Sequence, residues 1–334
     1  MTNRDITRNR KHDLYIVPPI IVMIVMWIMG GIGWLIFHDP LQFILFGYIG
    51  LFAGAGIGGY IAAADRYRPY ARHLVILLMG SLLLIVAFVT EHGNMQIEGL
   101  FFALIAGGGT YILLHYAIAK FVGPLIFGRI WCGWACWYAM IFDLLPYPFS
   151  HYRQPGRWER LRYVHFALSL LIVALLWFGV GVNLAEGTSG MIWFALGVLA
   201  YYLIGIVMAL VLKDNRAFCK YLCPLAVPLK FTSRFSLLKV SGTPEHCTDC
   251  EVCIEMCPMD IRVRDYITAG ERVLSTECTL CQTCISSCPH KSLKLSFGFD
   301  IGGKEYTDYD ASPGNRDYNR SLEHPSNHVP SPHL

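Results

Sequence analysis

The chain has 334 residues, of which 54% are hydrophobic and only 15% charged, with a mean hydropathy of +0.44. That balance excludes an ordinary soluble globule and assigns most of the chain to a membrane, with something smaller attached. A net charge of +3 gives no argument for a nucleic-acid partner, and none is expected; 12 cysteines require either an oxidising compartment or metal and redox chemistry.

A transmembrane helix takes about 20 mostly apolar residues. Six stretches qualify: 15–37, 41–64, 73–90, 98–122, 161–183 and 190–212. The first is broken by Gly30 and Gly31, is too long for a cleaved signal and is followed by no small-residue cleavage site, so it is kept as a span. In the second, Gly50, Gly54 and Gly58 recur every four residues, which predicts close approach of a neighbouring helix. Lys and Arg are retained on the cytoplasmic side. They gather in the N-terminal tail (Arg4, Arg8, Arg10, Lys11), at Arg66, Arg68 and Arg72, and after the fourth span (Lys120, Arg129, Arg153, Arg157, Arg160, Arg162), whereas the alternate turns near 38–42, 91–99 and 181–190 hold none. The alternation predicts a multi-pass protein of a prokaryotic cytoplasmic (inner) membrane, in contact with lipid, with both termini and everything after residue 212 in the cytoplasm. In that reducing compartment the thiols point to metal or redox chemistry rather than structural disulfides.

After the fourth span, "GRIWCGWACW" (128–137) carries Cys132 and Cys136; after the sixth, "NRAFCKYLCP" (215–224) carries Cys219 and Cys223. Arg129 and Arg216 each stand three residues before the first cysteine of a pair. If these segments are helical, each pair lies on one face, one turn apart. Two facing pairs would make a four-thiolate site for a third iron-sulfur cluster or a metal ion. A reversible dithiol is another reading. The plain alternative is buried apolar cysteines beside an interfacial belt of Trp131, Trp134, Trp137, Phe218 and Tyr221. His115 and His165 lie within apolar helices toward the cytoplasmic half, where they suit a quinone site, haem ligation or simple helix packing. His73, Asp143 and Glu159 fall at span ends, where solvation is expected. The glycines of "GAGIGG" lie inside a span and form no phosphate loop.

The strongest signal follows. "CTDCEVCIEMCP" and "CTLCQTCISSCP" are two copies of C-x2-C-x2-C-x3-C-P, the spacing of bacterial ferredoxins, in which three thiolates of a loop and a fourth from the other run hold each cubane. Cys247, Cys250, Cys253 and Cys288 are therefore expected to hold one 4Fe-4S cluster, and Cys278, Cys281, Cys284 and Cys257 the second. The intervening "RVRDYITAGERVLSTE" offers short strands and a turn at Gly270. Structural zinc is disfavoured, because it takes separated C-x-x-C pairs. No general base, nucleophile or nucleotide loop accompanies these runs, so they imply electron transfer rather than a named reaction. The tail 301–334 reads as disordered. The fold class is thus an α-helical polytopic membrane protein of about six transmembrane helices, residues 1–230, with a C-terminal α+β bacterial-type ferredoxin domain, residues 240–300.

The order of spans, "GRIWCGWAC", further spans, a C-x3-C-P and two ferredoxin runs resembles the polyferredoxin membrane proteins of the NapH, NosR and CcoG type over about residues 98–297. The resemblance implies membrane electron transfer: quinol electrons passed to a partner for NapH-like proteins, copper reduction for CcoG-like ones. Trp137 stands where that family has proline. A span beginning near Tyr15 leaves no place for a NosR-type N-terminal domain, and the residues after 300 leave none for a CcoG-type β-sandwich. The leading expectation is an electron-transfer subunit between quinone and a protein redox partner; the alternative is a thiol-dependent copper reductase or assembly factor. A ferredoxin merely anchored by its spans is a third.

Overall fold

The computed structural model describes residues 3–38, 40–89, 94–108, 110–148, 153, 157–182 and 187–307. Helices α1 (Asn3–Phe37) and α2 (Pro40–Ala62) form an antiparallel hairpin along the predicted glycine stripe. A Cβ on Gly54 would stand 2.3 Å from Met23 Cγ, so only glycine allows this approach. Helix α3 (Arg68–Val89) packs beside α2 through Val75 on Gly56.

The stretch 98–122, expected as one span, is not one helix. Helix α4 (Ile97–Ala106) stops where Gly107 turns left-handed at φ +67°, and α5 (Thr110–Tyr116) starts a new helix that runs through a π-helical stretch, Ala117–Val122, into α6 (Gly123–Phe127). Three consecutive glycines, 107–109, explain the break, since glycine costs a helix more than any residue but proline. Gly128, also left-handed, then bends the chain by 99° into α7 (Ile130–Trp134) and α8 (Trp137–Phe142).

These two short helices dip and return. The Cys136 carbonyl lies against Gly80, twelve residues or about 18 Å along α3 from its start, while Asp143 comes back to Arg72, eight residues nearer that start. They read as a re-entrant hairpin. Helix α9 (Arg157–Ala174), extended by a π-helical stretch to Val180, and α10 (Gly187–Leu212) complete the apolar part. Among the described residues, five helices are long and apolar enough to cross a membrane, six if the bent pair is counted as one span.

Helices α11 (Ala217–Tyr221) and α12 (Ala226–Ser233) lead into the C-terminal domain. There β1 (Leu238–Gly242) pairs antiparallel with β2 (Leu293–Phe297), Leu238 opposite Phe297, and between them lie α13 (Val252–Glu255), α14 (Val263–Thr268) and α15 (Thr283–Ser287). The strands expected around Gly270 are replaced by α14. Val263, Tyr266 and Ile267 are all buried, an i, i+3, i+4 stripe that fits a helix, and the turn at Gly270 stands with φ +70°. The tail expected to be disordered from 301 is ordered at its start: Tyr266 OH donates to the Lys304 carbonyl at 2.5 Å and Arg262 N–H to that of Tyr306 at 2.9 Å. Residues 308–334 lie outside the described residues.

Candidate iron-sulfur centres

Two cavities in the C-terminal domain collect the ferredoxin cysteines. One is lined by Cys247, Cys250, Cys253 and Cys288, the other by Cys257, Cys278, Cys281 and Cys284, each with about 370 Å³ of empty space. Helix α13 carries Cys253 of the first and leads to Cys257 of the second, and α15 carries Cys284 of the second and leads to Cys288 of the first. The thiols are thus sorted as the motif expects. The loops repeat one backbone device: Asp249 and Leu280, Glu251 and Gln282, and Asp260 and Lys291 are left-handed at matching positions, φ between 50° and 61°. Such conformations are strained for non-glycine residues and curl a chain so that successive N–H groups face a concavity.

Both cavities fit a cubane: four thiols line each, and the remaining lining of the second is mostly apolar, including Val240, Met259, Ile261, Val263 and Val273. Burial pushes the Cys253 thiol up to about 12, reinforced by the neighbouring thiols of Cys250 and Cys247, and pushes Cys278 up to about 12 as well. Ligation by metal therefore displaces protons from both. Cys250 is exposed and Cys281 and Cys284 are buried, which puts the first cavity at the surface and the second inside.

The remaining four cysteines come together. Cys136, Cys219 and Cys223 pack in one cluster with Trp137 and Phe218, and Cys132 lies within electrostatic reach of Cys219 and Cys223. The pairs do not lie on one helix face as the sequence suggests. Cys132 sits inside α7 and Cys219 inside α11, but both helices end after five residues, and Cys136 and Cys223 follow outside them. The sequence repeat is a structural repeat, with Arg129 and Arg216 at the N-cap of their helices. Each arginine reaches across: Arg216 Nη1 donates to the Cys132 carbonyl at 3.0 Å and points at Cys219 Sγ at 4.0 Å, while Arg129 acts on Cys132 and Cys223. Trp137 begins α8 where proline is expected. The first helical position needs no internal N–H partner, so tryptophan is tolerated there, and its carbonyl accepts from Tyr202 OH at 2.6 Å.

This quartet abuts the second cavity. A Cβ on Gly133 would lie 2.4 Å from the Thr279 carbonyl oxygen and 3.3 Å from Cys281 Cα, so only glycine lets the loop sit there, and Trp134 Nε1 donates to the Leu280 carbonyl at 2.9 Å. Buried ions lock the seam. Glu277, the residue before Cys278, takes Arg129 and Arg162 at 2.8 Å, Arg153 at 3.1 Å and Lys230 at 2.7 Å. Burial alone would raise its carboxyl, but these four cations hold it well below the usual range. Lys220 bridges Asp214 and Asp260. Asp143, expected to be solvated, is buried between Arg72 at 2.9 Å and Arg216 at 2.5 Å. In the sequence its position at a span end hid this role; only the fold brings the two arginines to it. Glu159 pairs with Arg153 at 2.5 Å.

Of the two histidines, His165 joins a polar chain and His115 does not. His165 Nδ1 bonds the Leu222 carbonyl at 2.8 Å, beside Cys223, and Nε2 meets Tyr201 OH at 3.0 Å. Tyr201 OH also reaches Glu98 Oε1 at 3.2 Å, which accepts from Ser169 Oγ at 2.7 Å. His115 packs edge-on against Tyr116 at 5.6 Å. Sequence reading passed over Glu98, Ser169 and Tyr201; an acid at the head of an apolar stretch was the signal available.

The model of the "4Fe-4S dicluster domain" family matches residues 239–289, and that of the "4Fe-4S binding domain" family matches 111–151 and 187–240, the segments holding the quartet. The chain is 26% identical to uncharacterized protein MJ0749 of Methanocaldococcus jannaschii over 194 residues, 56% of this chain and 74% of the relative. It is 26% identical to uncharacterized protein MJ0750 of the same organism over 185 residues, 52% and 76%. No solved structure matches. Both thiol-bearing regions are therefore similar to 4Fe-4S binding domains, and the chain reads as a ferredoxin-like iron-sulfur electron-transfer protein with several helices long and apolar enough for a membrane.

Proposed function

We propose that this chain is a membrane-bound electron carrier linking the quinone pool to a partner oxidoreductase through three four-thiolate sites in series. The observation that carries this reading is their order. Cys250 opens the first cavity to the surface, Cys284 of the second stands within electrostatic reach of Cys253 of the first, and the Cys132 loop touches the backbone at Cys281.

When bound, a 4Fe-4S cluster supplies one-electron storage at a potential set by charge and hydrogen bonds around its sulfurs. The chain's residues do the tuning. Thr283 Oγ1 donates to Cys281 Sγ at 3.4 Å and Ile261 N–H to Cys257 Sγ at 3.4 Å. Arg129 and Arg216 bring positive charge to the quartet, which favours its more negative, reduced form. Across the ion pairs that lock the seam, seven cations face five carboxylates, and an anionic centre in the quartet balances the excess. His165, held between the Leu222 carbonyl and Tyr201 OH, places a titratable group in the apolar bundle beside the quartet, where quinone chemistry needs one. The likeness of "GRIWCGWAC" to NapH-type proteins supports the same direction.

Anaerobic iron and sulfide analysis tests the series: three cubanes require about twelve irons and two about eight. The reduced protein is then mixed with a water-soluble quinone analogue. Twelve irons, and rapid reoxidation that is lost in Cys219→Ser and slowed in His165→Ala, is the expected result. Eight irons, or reoxidation unchanged by Cys219→Ser, overturns it.

A further inference from the structure

Glu98 is 7% exposed and stands among helices that are otherwise apolar. Its depth follows from its partners: Ser169 lies in the middle of the α9 segment and Tyr201 near the middle of α10, each far from the helix ends. An ionisable group at such a position is costly unless it has work to do. One carboxyl oxygen, Oε1, is held by Ser169 and Tyr201; the other, Oε2, is buried with no hydrogen-bond partner among the described residues.

Donor counting defines what this chain of groups can hold. The Leu222 carbonyl only accepts, so His165 Nδ1 carries hydrogen and, in the neutral ring, Nε2 is an acceptor. Tyr201 has one hydroxyl hydrogen and two neighbours that ask for it, Glu98 Oε1 and His165 Nε2. With Glu98 ionised and His165 neutral, one of those two acceptors goes without. One added proton satisfies both contacts of Tyr201. Placed on Glu98, it lets Oε1 donate to Tyr201 and Tyr201 donate to His165; placed on His165, it lets Nε2 donate to Tyr201 and Tyr201 donate to Glu98. The two forms differ only by a hop along the same three groups, which is how a hydrogen-bonded chain passes a proton.

We propose that Glu98, Tyr201 and His165 form a proton relay that takes up one proton for each electron delivered to the neighbouring four-thiolate site. The inference rests on the electron-carrier reading above. Glu98 Oε2 is the end with no hydrogen-bond partner among the described residues, and the other end stops at Leu222, one residue from Cys223. The electron comes from a reduced iron-sulfur centre of the C-terminal domain, which is oxidised by one electron; the proton comes from water to Glu98, and reoxidation of the quartet returns both. The titratable groups facing the relay are Tyr116 from α5, Tyr138 from the re-entrant hairpin and the thiol of Cys223. Tyr138 is itself held by Gln96 Nε2 at 2.8 Å.

The test uses the full-length protein in detergent, reduced stepwise with dithionite, with iron content determined first. Infrared difference spectra are expected to show a protonated-carboxyl band gained on reduction, shifted in D2O and absent in Glu98→Gln. The potential of the quartet is expected to shift by 59 mV for each tenfold change in proton activity in the wild type, and to lose that slope in Glu98→Gln. Tyr201→Phe, which leaves Glu98 and every thiol in place, is expected to keep the carboxyl band and slow proton uptake at least tenfold by a pH indicator. Twelve irons with no carboxyl band and a flat potential overturns the relay and leaves the electron carrier standing. Eight irons overturns both, and uptake unchanged in Tyr201→Phe overturns the route.

Discussion

The ferredoxin cavities and the quartet at the ends of the apolar helices are built on opposite plans. In the cavities, three thiols come from one seven-residue loop that left-handed residues such as Asp249 and Glu251 curl around the space, and a short helix delivers the fourth. Their shape is local. In the quartet each five-residue helix carries one thiol and the chain leaving it carries another, and the two halves are 87 residues apart in sequence, from Cys132 to Cys219. Nothing local holds those halves together; Asp143 with Arg72 and Arg216 does so from the side of the apolar helices, and Glu277 with its four cations from the side of the C-terminal domain. The quartet is therefore expected to fail when the seam fails, while the cavities survive.

The largest expected effect separates the two plans outright. Cys219→Ser removes about four irons and leaves about eight, whereas Cys253→Ser takes its loss from the cavities, as metal analysis with electron paramagnetic resonance reads directly. Next is Glu277→Gln, which strands Arg129, Arg153 and Arg162, all at most 2% exposed, without their shared carboxylate. Removing one partner of a buried ion cluster costs about 3–5 kcal/mol, and proteolytic release of the C-terminal domain, with loss of the quartet signal alone, is the readout. Acid sharpens the same point. The folded Glu277 carboxyl lies well below its ordinary value of 4.5, so its contribution is complete above that pH and is lost only as pH falls through the lower folded value. The wild-type seam is expected to hold at pH 5 and to open well below 4.5; release already at pH 5 would contradict it.

Gly133→Ala comes third. The added methyl meets the Thr279 carbonyl, and relieving such overpacking costs about 1–3 kcal/mol, visible as slower electron exchange between the quartet and the second cavity in stopped-flow reduction. Trp134→Phe is the mildest. It deletes one hydrogen bond to Leu280, worth about 0.5–1.5 kcal/mol, and a small fall in thermal midpoint with unchanged iron content is the expected outcome.

The eight ferredoxin cysteines, their sorting into two sets and most of the apolar helices were legible in the sequence, because ligand spacing in a loop and apolar length are properties of consecutive residues. The pairing of Cys132 and Cys136 with Cys219 and Cys223 was only suggested by a repeat; the helix ends that place the second cysteine of each pair outside its helix belong to the packing of α7 and α11. The broken fourth span turned on glycines at 107–109 that an apolar count reads as neutral. Tertiary structure alone decided the rest: that Asp143 and Glu277 are buried among arginines, that Gly133 lets the loop of Cys132 touch a ferredoxin loop, and that Glu98, Tyr201 and His165 from three different helices share one proton's worth of hydrogen bonds. Buried charge and shared protons depend on which distant side chains exclude water together, and that exclusion is a property of the assembled fold rather than of any stretch of chain.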